Sequence, residues 1–335
     1  MIIHCLGGGL VGSFVIRRLI NAGYKVHIFD IDDVGIKGAI MHVGDAITVD
    51  HSDADLIINM LPGEIGHLAT AALSNTGQRI LDLSFSVSTP DNLENVTSTI
   101  IWDVGIAPGL SNMLLSMAVR KYGALKQAMI KVGGNPSEMD DGWSYMAPFS
   151  PTDVIAEYTR PARIIRNGEI QVVPAMSDLH KINANGREMD AFLTDGLRSI
   201  LHGIPAEEMG EYTVRWPGHI QRYQAEQDSI VVDDLIEEWK FDVNRPEFTW
   251  MEVTAVTLDD LKLKWIVEDQ GLDGDSSMAR TTGLVTAQTA IAWLNQPDLF
   301  TAGVYSPENL PNEIIQLIIE VMQAEGVSIK GPIIE

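Results

Sequence analysis

Three glycines near the start of the chain, Gly7, Gly9 and Gly12, follow a run of apolar residues and precede a segment of helical spacing, Val15 to Gly23. G-x-G-x-x-G between a strand and a helix is the feature that most constrains the fold, because each glycine has a separate steric task. The first permits a tight turn, the second lets a pyrophosphate approach the backbone, and the third lets the helix pack closely on the strand. The helix start at Leu10, Val11 and Gly12 offers backbone N–H groups that have no partner within the helix, which suits an anion. Lys25 to Asp30 reads as a second strand, so strand, turn, helix and strand follow one another within about 30 residues and predict a βαβ unit. Asp30 ends that strand, where an acid accepts hydrogen bonds from ribose hydroxyls and repels a 2′-phosphate. With Ile31 and Asp32 following and no arginine nearby, the expected dinucleotide is NAD and not NADP.

The alternation continues with strands over 55–61, 79–85 and 99–105 and a helix over 66–75, which predicts a doubly wound parallel sheet. Leu61 and Pro62 end the third strand and Asp82 to Ser84 end the next, at the carboxyl edge where a nicotinamide projects. Asp82 is therefore an acid-base candidate, although an aspartate there also serves as a cap or loop hydrogen-bonding residue. His67 reads as a surface or capping residue.

Beyond a helix over 112–122 the texture changes. Segments 127–134, 163–175, 210–218, 250–258 and 262–269 alternate polar and apolar residues between turn signals and predict a mainly antiparallel sheet with one wet face. Helical spacing returns at 197–203, 232–241, 278–294 and 311–326. The expected organisation is a dinucleotide-binding domain over 1–110, an α/β catalytic domain over 111–277 and C-terminal helices over 278–335 that return to the first domain.

Charge excludes several function classes. The chain of 335 residues has 23 Lys and Arg against 46 Asp and Glu, a net charge of −23, which opposes binding to nucleic acid and to anionic membranes. No apolar run reaches the roughly 20 residues of a membrane span. The first residues lack the basic region and long apolar core of a signal peptide, so a cytoplasmic location is expected. The single cysteine, Cys5, reads as a buried small hydrophobe in the first strand. No His and carboxylate set has metal-ligand spacing, so no metal is expected.

Several longer motifs carry a resemblance. The N-terminal glycine motif, Asp103 to Leu110 (DVGIAPGL), Phe149 to Pro151 with Glu157 to Arg163 (EYTRPAR), Thr194 to Arg198 (TDGLR) and Arg215 to His219 (RWPGH) resemble the saccharopine dehydrogenase-like family, most closely its lysine 6-dehydrogenases. The resemblance runs from residue 1 to about Leu294. It implies a Rossmann domain, an α/β catalytic domain, a late helix that packs back on the first, a homodimer or homotetramer, and NAD-dependent oxidation of a carbon–nitrogen bond in an amino acid. For lysine, hydride leaves the ε-carbon and the imine is hydrolysed to a semialdehyde that cyclises, with release of ammonia. Oxidation of a secondary amine, as in saccharopine or carboxynorspermidine dehydrogenases, is the alternative. It is weakened because Leu61 to His67 contains no lysine, where fungal-type saccharopine dehydrogenases are expected to carry a lysine and histidine pair. A protein that keeps the fold to sense NAD without turnover is a third reading.

Such chemistry needs a neutral amine, hence a base or a desolvated pocket, and an anchor for the α-carboxylate. Arg160, Arg163, Arg198, Arg215 and Arg280 are anchor candidates, with Arg215 and Arg160 first because they lie in family-like motifs. His219 and Tyr145 are the candidate proton carriers of the second domain, ahead of His180. A histidine after Pro-Gly equally caps a helix, and a tyrosine beside Trp143 and Met146 equally packs in a core. Asp195 is expected either to hold the substrate ammonium or to start a turn and helix.

Overall fold

In the computed structural model, which describes residues 1–335, the first strand β1 (Ile2–Leu6) is buried on both faces, as a near-continuous apolar strand in a parallel sheet must be. It is followed by α1 (Leu10–Asn21), β2 (Lys25–Asp30), β3 (Ile40–Val43), β4 (Leu56–Asn59), α2 (Gly63–Leu73), β5 (Arg79–Asp82), β6 (Thr99–Trp102) and α3 (Leu110–Tyr122). Two compact units result: Met1–Met113 with Ala279–Met322, and Leu114–Met278 with Gln323–Glu335.

The first unit holds a parallel sheet of seven strands in the order β15-β6-β5-β4-β1-β2-β3, where β15 is Gly303–Tyr305. Winding reverses between β1 and β4, the place in such a sheet where a crevice opens at the carboxyl ends of the strands. Leu6, Phe29, Ile57, Ile80, Ile100 and Trp102 form one core layer. The long helix α8 (Ser277–Asn295) returns to this unit. Its Gly283 lies so close to Phe14 of α1 that a Cβ there would collide with the ring, and Thr286 Oγ1 donates to the Val104 carbonyl at 2.7 Å.

The second unit contains β7 (Leu125–Pro136), α4 (Pro151–Thr159), the hairpin β8 (Ala162–Arg166) and β9 (Glu169–Val173), β10 (His180–Ala184), β11 (Arg187–Leu193), the short α5 (Ile200–Gly203), β12 (Ala206–Arg215), α6 (His219–Glu226), α7 (Val232–Glu238), β13 (Glu247–Thr257) and β14 (Lys262–Gln270). Its main path runs β10-β11-β12-β7-β13-β14-β16, where β16 is Ser328–Ile334, with β8 paired to β12 and β9 to β8. Only β12 and β7 run parallel, so the sheet is mixed with an antiparallel majority. Two apolar clusters support it, one mainly aliphatic around Leu193, Val214, Phe248 and Trp250, the other mainly aromatic around Trp143, Tyr158, Tyr223 and Trp239.

The last segment departs from the sequence reading. After α9 (Asn312–Ala324), Gly326 turns the chain at φ +92°, and β16 (Ser328–Ile334) adds to β14 of the second sheet, so residues 323–335 do not stay with the first unit. β16 is mostly exposed and attaches through its backbone, so it shows no apolar alternation. The edge strand β3 was hidden for the same reason. No helix is long and apolar enough to cross a membrane.

Candidate functional site

Each unit contributes a polar constellation, one built from backbone and the other from side chains. In the first unit the turn after β1 is shaped by forbidden Cβ positions. Gly7 has φ +93°, and a Cβ on it would lie 2.9 Å from the Met60 carbonyl oxygen at the end of β4. A Cβ on Gly12 would lie 2.6 Å from the Gly7 carbonyl oxygen. Gly9 differs, since a Cβ there would meet no atom within 4 Å. Gly9 and Leu10 are exposed at the tip of α1, whose first turn carries no acidic residue to repel an anion. The gap over Gly9 and the helix N–H groups of Leu10, Val11 and Gly12 thus fit a pyrophosphate.

Asp30, at the end of β2, accepts from the Gly8 N–H at 2.7 Å through Oδ2 and from the Asp32 N–H at 3.1 Å through Oδ1, which holds its carboxylate beside the turn. A carboxylate has about four acceptor sites, so capacity remains for ribose hydroxyls. Ile31 is 76% exposed, an apolar side chain left open beside that acid. At the end of β4, Leu61 is half-buried with its N–H on Asn59 Oδ1 at 3.2 Å, and Pro62 is the exposed N-cap of α2.

Asp82 has a different task from the acid-base one expected. It is buried and accepts from Thr70 Oγ1 at 2.8 Å, from the Ser84 N–H at 2.7 Å and from Asn59 Nδ2 at 3.3 Å. These bonds tie the ends of β4 and β5 to α2, and the carboxylate is committed to the scaffold.

In the second unit the structure gathers Tyr145, Tyr158, Arg215 and His219 into one buried relay. His219 Nδ1 lies 2.9 Å from the Trp143 carbonyl, which can only accept, so Nδ1 carries the proton and Nε2 is an acceptor. The Tyr158 hydroxyl, 3.1 Å away, donates to that Nε2. The Tyr158 oxygen in turn accepts from Arg215 Nε at 2.8 Å. Arg215 also donates to the Val214 carbonyl at 3.0 Å and to the Tyr145 hydroxyl at 3.4 Å, and its guanidinium stands 4.5 Å from the centroid of the Tyr145 ring. Two of its five N–H groups remain after these three bonds.

His219 is 3% exposed at the first position of α6, and burial followed by the Arg215 charge pushes its pKa down to about 3. Both ring nitrogens are committed and the ring is neutral, so His219 orients Tyr158 and does not carry protons as expected. Tyr145 keeps its hydroxyl proton, burial raising its pKa to about 12 against the Arg215 charge.

Asp195 also departs from expectation. Its carboxylate takes a bidentate grip from Arg163 (Nε and Nη2, both 2.8 Å) and the Arg163 N–H at 3.0 Å, while Arg160 Nη1 lies 4.0 Å away. It is a counter-ion for two arginines, and a substrate ammonium would have to displace them. His180, on β10, donates from Nδ1 to the Asp178 carbonyl at 2.7 Å on the surface, away from this relay.

Two carboxylates that the sequence reading passed over lie in the same cluster. Glu211 of β12 accepts from Thr194 Oγ1 at 3.1 Å and faces Gly196 at a separation only glycine allows. Burial, reinforced by the charge of Glu157, pushes its pKa up to about 8. Glu157 is half-buried on α4, next to Tyr158. Its signal was available: Val154, Glu157 and Tyr158 have i, i+3, i+4 spacing, which puts a carboxylate on the buried stripe of a helix.

A seven-stranded parallel sheet with a glycine turn at its switch point, joined in one chain to a mixed sheet with a buried polar cluster, defines a two-unit α/β protein of Rossmann type. Residues 105–327 match the family model of the saccharopine dehydrogenase C-terminal domain, and the chain belongs to the saccharopine dehydrogenase family. Among solved structures it is similar to apo saccharopine dehydrogenase (L-Glu forming) from Saccharomyces cerevisiae, with TM-score 0.71 and 15% identity over 98% of this chain and 99% of that one. It is also similar to homospermidine synthase from Legionella pneumophila in complex with NAD, with TM-score 0.69 and 13% identity over 99% of this chain and 92% of that one.

Proposed function

We propose that this protein is an NAD-dependent oxidoreductase that acts on a carbon–nitrogen bond of an amino acid, with oxidation of L-lysine at the ε-carbon as the leading reaction. The observation that carries the reading is the open Gly9 turn at the β1/β4 switch point with Asp30 beside it, in a chain of the saccharopine dehydrogenase family. The NAD held by the similar Legionella structure supports the same cofactor here.

NAD supplies the hydride acceptor when bound. Leu10 and Val11 present N–H groups to its pyrophosphate, Asp30 accepts from its ribose, and Ile31 offers an apolar surface to its base. In the second unit the two uncommitted N–H groups of Arg215 form the carboxylate anchor, and Tyr145 has a hydroxyl proton to donate. Asp195 holds Arg163 in a bidentate pair, while Arg215 keeps N–H groups to spare for a substrate carboxylate.

The test is reduced-nicotinamide absorbance at pH about 9 to 10, where the neutral fraction of the amine is far larger than at pH 7, with lysine, saccharopine, ornithine and carboxynorspermidine offered separately. Lysine turnover with ammonia release is expected. Turnover of saccharopine or carboxynorspermidine alone would move the reading to secondary amines, and NAD binding with no turnover of any compound would leave a sensing role.

A further inference from the structure

Around the aromatic cluster of the second unit, the carboxylates of Asp195 and Glu211 and the side chains of Arg215 and His219 are hydrogen-bonded, and Glu157 is not. Arg215 is bound to Tyr158, Tyr145 and the Val214 carbonyl, His219 to Trp143 and Tyr158, Asp195 to Arg163, and Glu211 to Thr194. Glu157 belongs to the same group and interacts electrostatically with Arg215, Arg160, Asp153, Tyr145, Tyr158 and Glu211. Its carboxylate accepts no hydrogen bond from the chain, and it is half-buried where Tyr145, Tyr158, Arg215 and Glu211 are buried. A half-buried carboxylate with no hydrogen bond from the chain keeps its acceptor sites for a ligand, and a cationic amine is one that such a group favours.

We infer that Glu157 receives the reacting amine of the substrate and is the base that removes its proton. The inference rests on the amine-oxidising reading above. The N–H bond of the ammonium breaks and an O–H bond forms on Glu157. The lone pair left on nitrogen then forms the C=N bond as the neighbouring C–H electron pair departs as hydride to an oxidised nicotinamide. Every electron pair is accounted for without another co-reactant.

The surroundings suit that task. Burial is the largest influence on Glu157 and raises it, the charges of Arg215 and Arg160 oppose the rise, Asp153 adds to it, and the outcome is a carboxyl pushed up to about 7. A base is most effective when its pKa lies near the working pH. The groups with better-known catalytic habits are unsuited here: His219 is held neutral by burial and the Arg215 charge with both ring nitrogens bonded, and Asp195 is engaged by Arg163.

Glu157→Gln keeps the size and polarity of the side chain and removes its ionisation, and Glu157→Asp keeps the charge on a shorter arm. Near pH 7, kcat/KM of Glu157→Gln is expected to fall about 100-fold or more, the usual scale for a lost general base. The loss should shrink toward high pH, where the amine deprotonates without help, and Glu157→Asp should recover part of the rate. NAD affinity and the thermal midpoint should be those of the wild type. A second readout needs no turnover. Calorimetric binding of L-lysine and of 1,5-diaminopentane at pH 7, in two buffers of different ionisation enthalpy, should show proton release from the wild type, and at least about tenfold weaker binding with no release from Glu157→Gln.

If the wild type oxidises an amine and Glu157→Gln matches it within threefold with the same pH profile, the assignment of Glu157 is overturned and the function stands. If the wild type oxidises none of the amines but binds them through Glu157 with proton release, Glu157 stands as the amine receptor and the oxidoreductase reading falls. If no amine binds or reacts, both fall.

Discussion

The glycine turn of the first unit and the aromatic cluster of the second both gather polar groups, by opposite physical means. In the turn the donors are backbone N–H groups that helix geometry leaves unused, and the requirement on sequence is mostly an absence, the missing Cβ atoms of Gly7, Gly9 and Gly12. In the cluster every contributor is a side chain, drawn from α4, β12, α6 and the segment before α4, and enclosed by Trp143, Tyr223 and Trp239. The lesson is that a backbone site is written locally and tolerates water, whereas a side-chain site depends on burial, and burial sets the charge state of its members.

The sharpest way to break this comparison is within the turn itself. Gly12→Ala places a Cβ against the Gly7 carbonyl, backbone against backbone, and should cost more than about 3 kcal/mol of folding stability together with NAD binding. Gly9→Ala meets nothing within 4 Å in the free protein, so its thermal midpoint should stay within about 1 °C of wild type while NAD affinity falls on the order of 100-fold. Calorimetric titration and thermal melts of the two variants side by side decide this; equal stability losses would mean that the three glycines do not divide their tasks.

The cluster is expected to yield less to a single change. Arg215→Met leaves two buried tyrosine hydroxyls and a carbonyl without their donor, and should cost about 2 to 3 kcal/mol while raising KM for an amino-acid substrate. Arg215→Lys should not restore it, because a single ammonium cannot reproduce three N–H directions under an aromatic ring. Denaturant titration with steady-state kinetics measures both; a lysine variant with wild-type stability and KM would show that charge alone matters there.

The smallest expected effect is a pH dependence in the first unit. His4 lies buried on β1 against His51 (2.9 Å), His27 and Phe29, with Asp53 at 3.3 Å, and burial outweighs that aspartate to lower its pKa from 6.5 to about 4. Between those values the unfolded chain binds the proton that the folded chain refuses. Its contribution is therefore complete above pH 6.5 and is lost as pH falls toward 4, by on the order of 1 kcal/mol between pH 7 and 5. Glu211 in the cluster has the opposite sign, since its raised pKa makes the folded state hold a proton up to about pH 8. Urea unfolding of His4→Gln at the two pH values should show a weaker dependence than wild type, and an unchanged one would remove His4 as its source.

Legibility in the sequence follows the same division. The glycine spacing, Asp30 and the strand-helix alternation were readable because each depends on neighbours within a few turns of chain. Tyr145, Arg215 and His219 were recognised as polar residues of interest, yet the role of His219 turns on Trp143 and Tyr158, which are distant in sequence, and on burial that no local pattern reveals. Asp82 and Asp195 misled for one reason: a carboxylate at a strand end looks the same whether it faces a ligand or is consumed by Thr70 or Arg163. Glu157 was legible as part of a helical stripe but gave no sign of being the carboxylate its neighbours leave unsatisfied.

By itself the sequence determined a parallel sheet with a glycine turn after its first strand, a second sheet of mostly antiparallel strands, and a helix that returns to the first, since periodicity and the steric uniqueness of glycine act over short stretches. Only the tertiary structure decided which of many charged residues are spent on one another, that the last strand joins the second sheet, and that His219 is neutral beside Arg215. Hydrogen-bond partners and desolvation are properties of space, and they exist only once the chain has brought distant residues together.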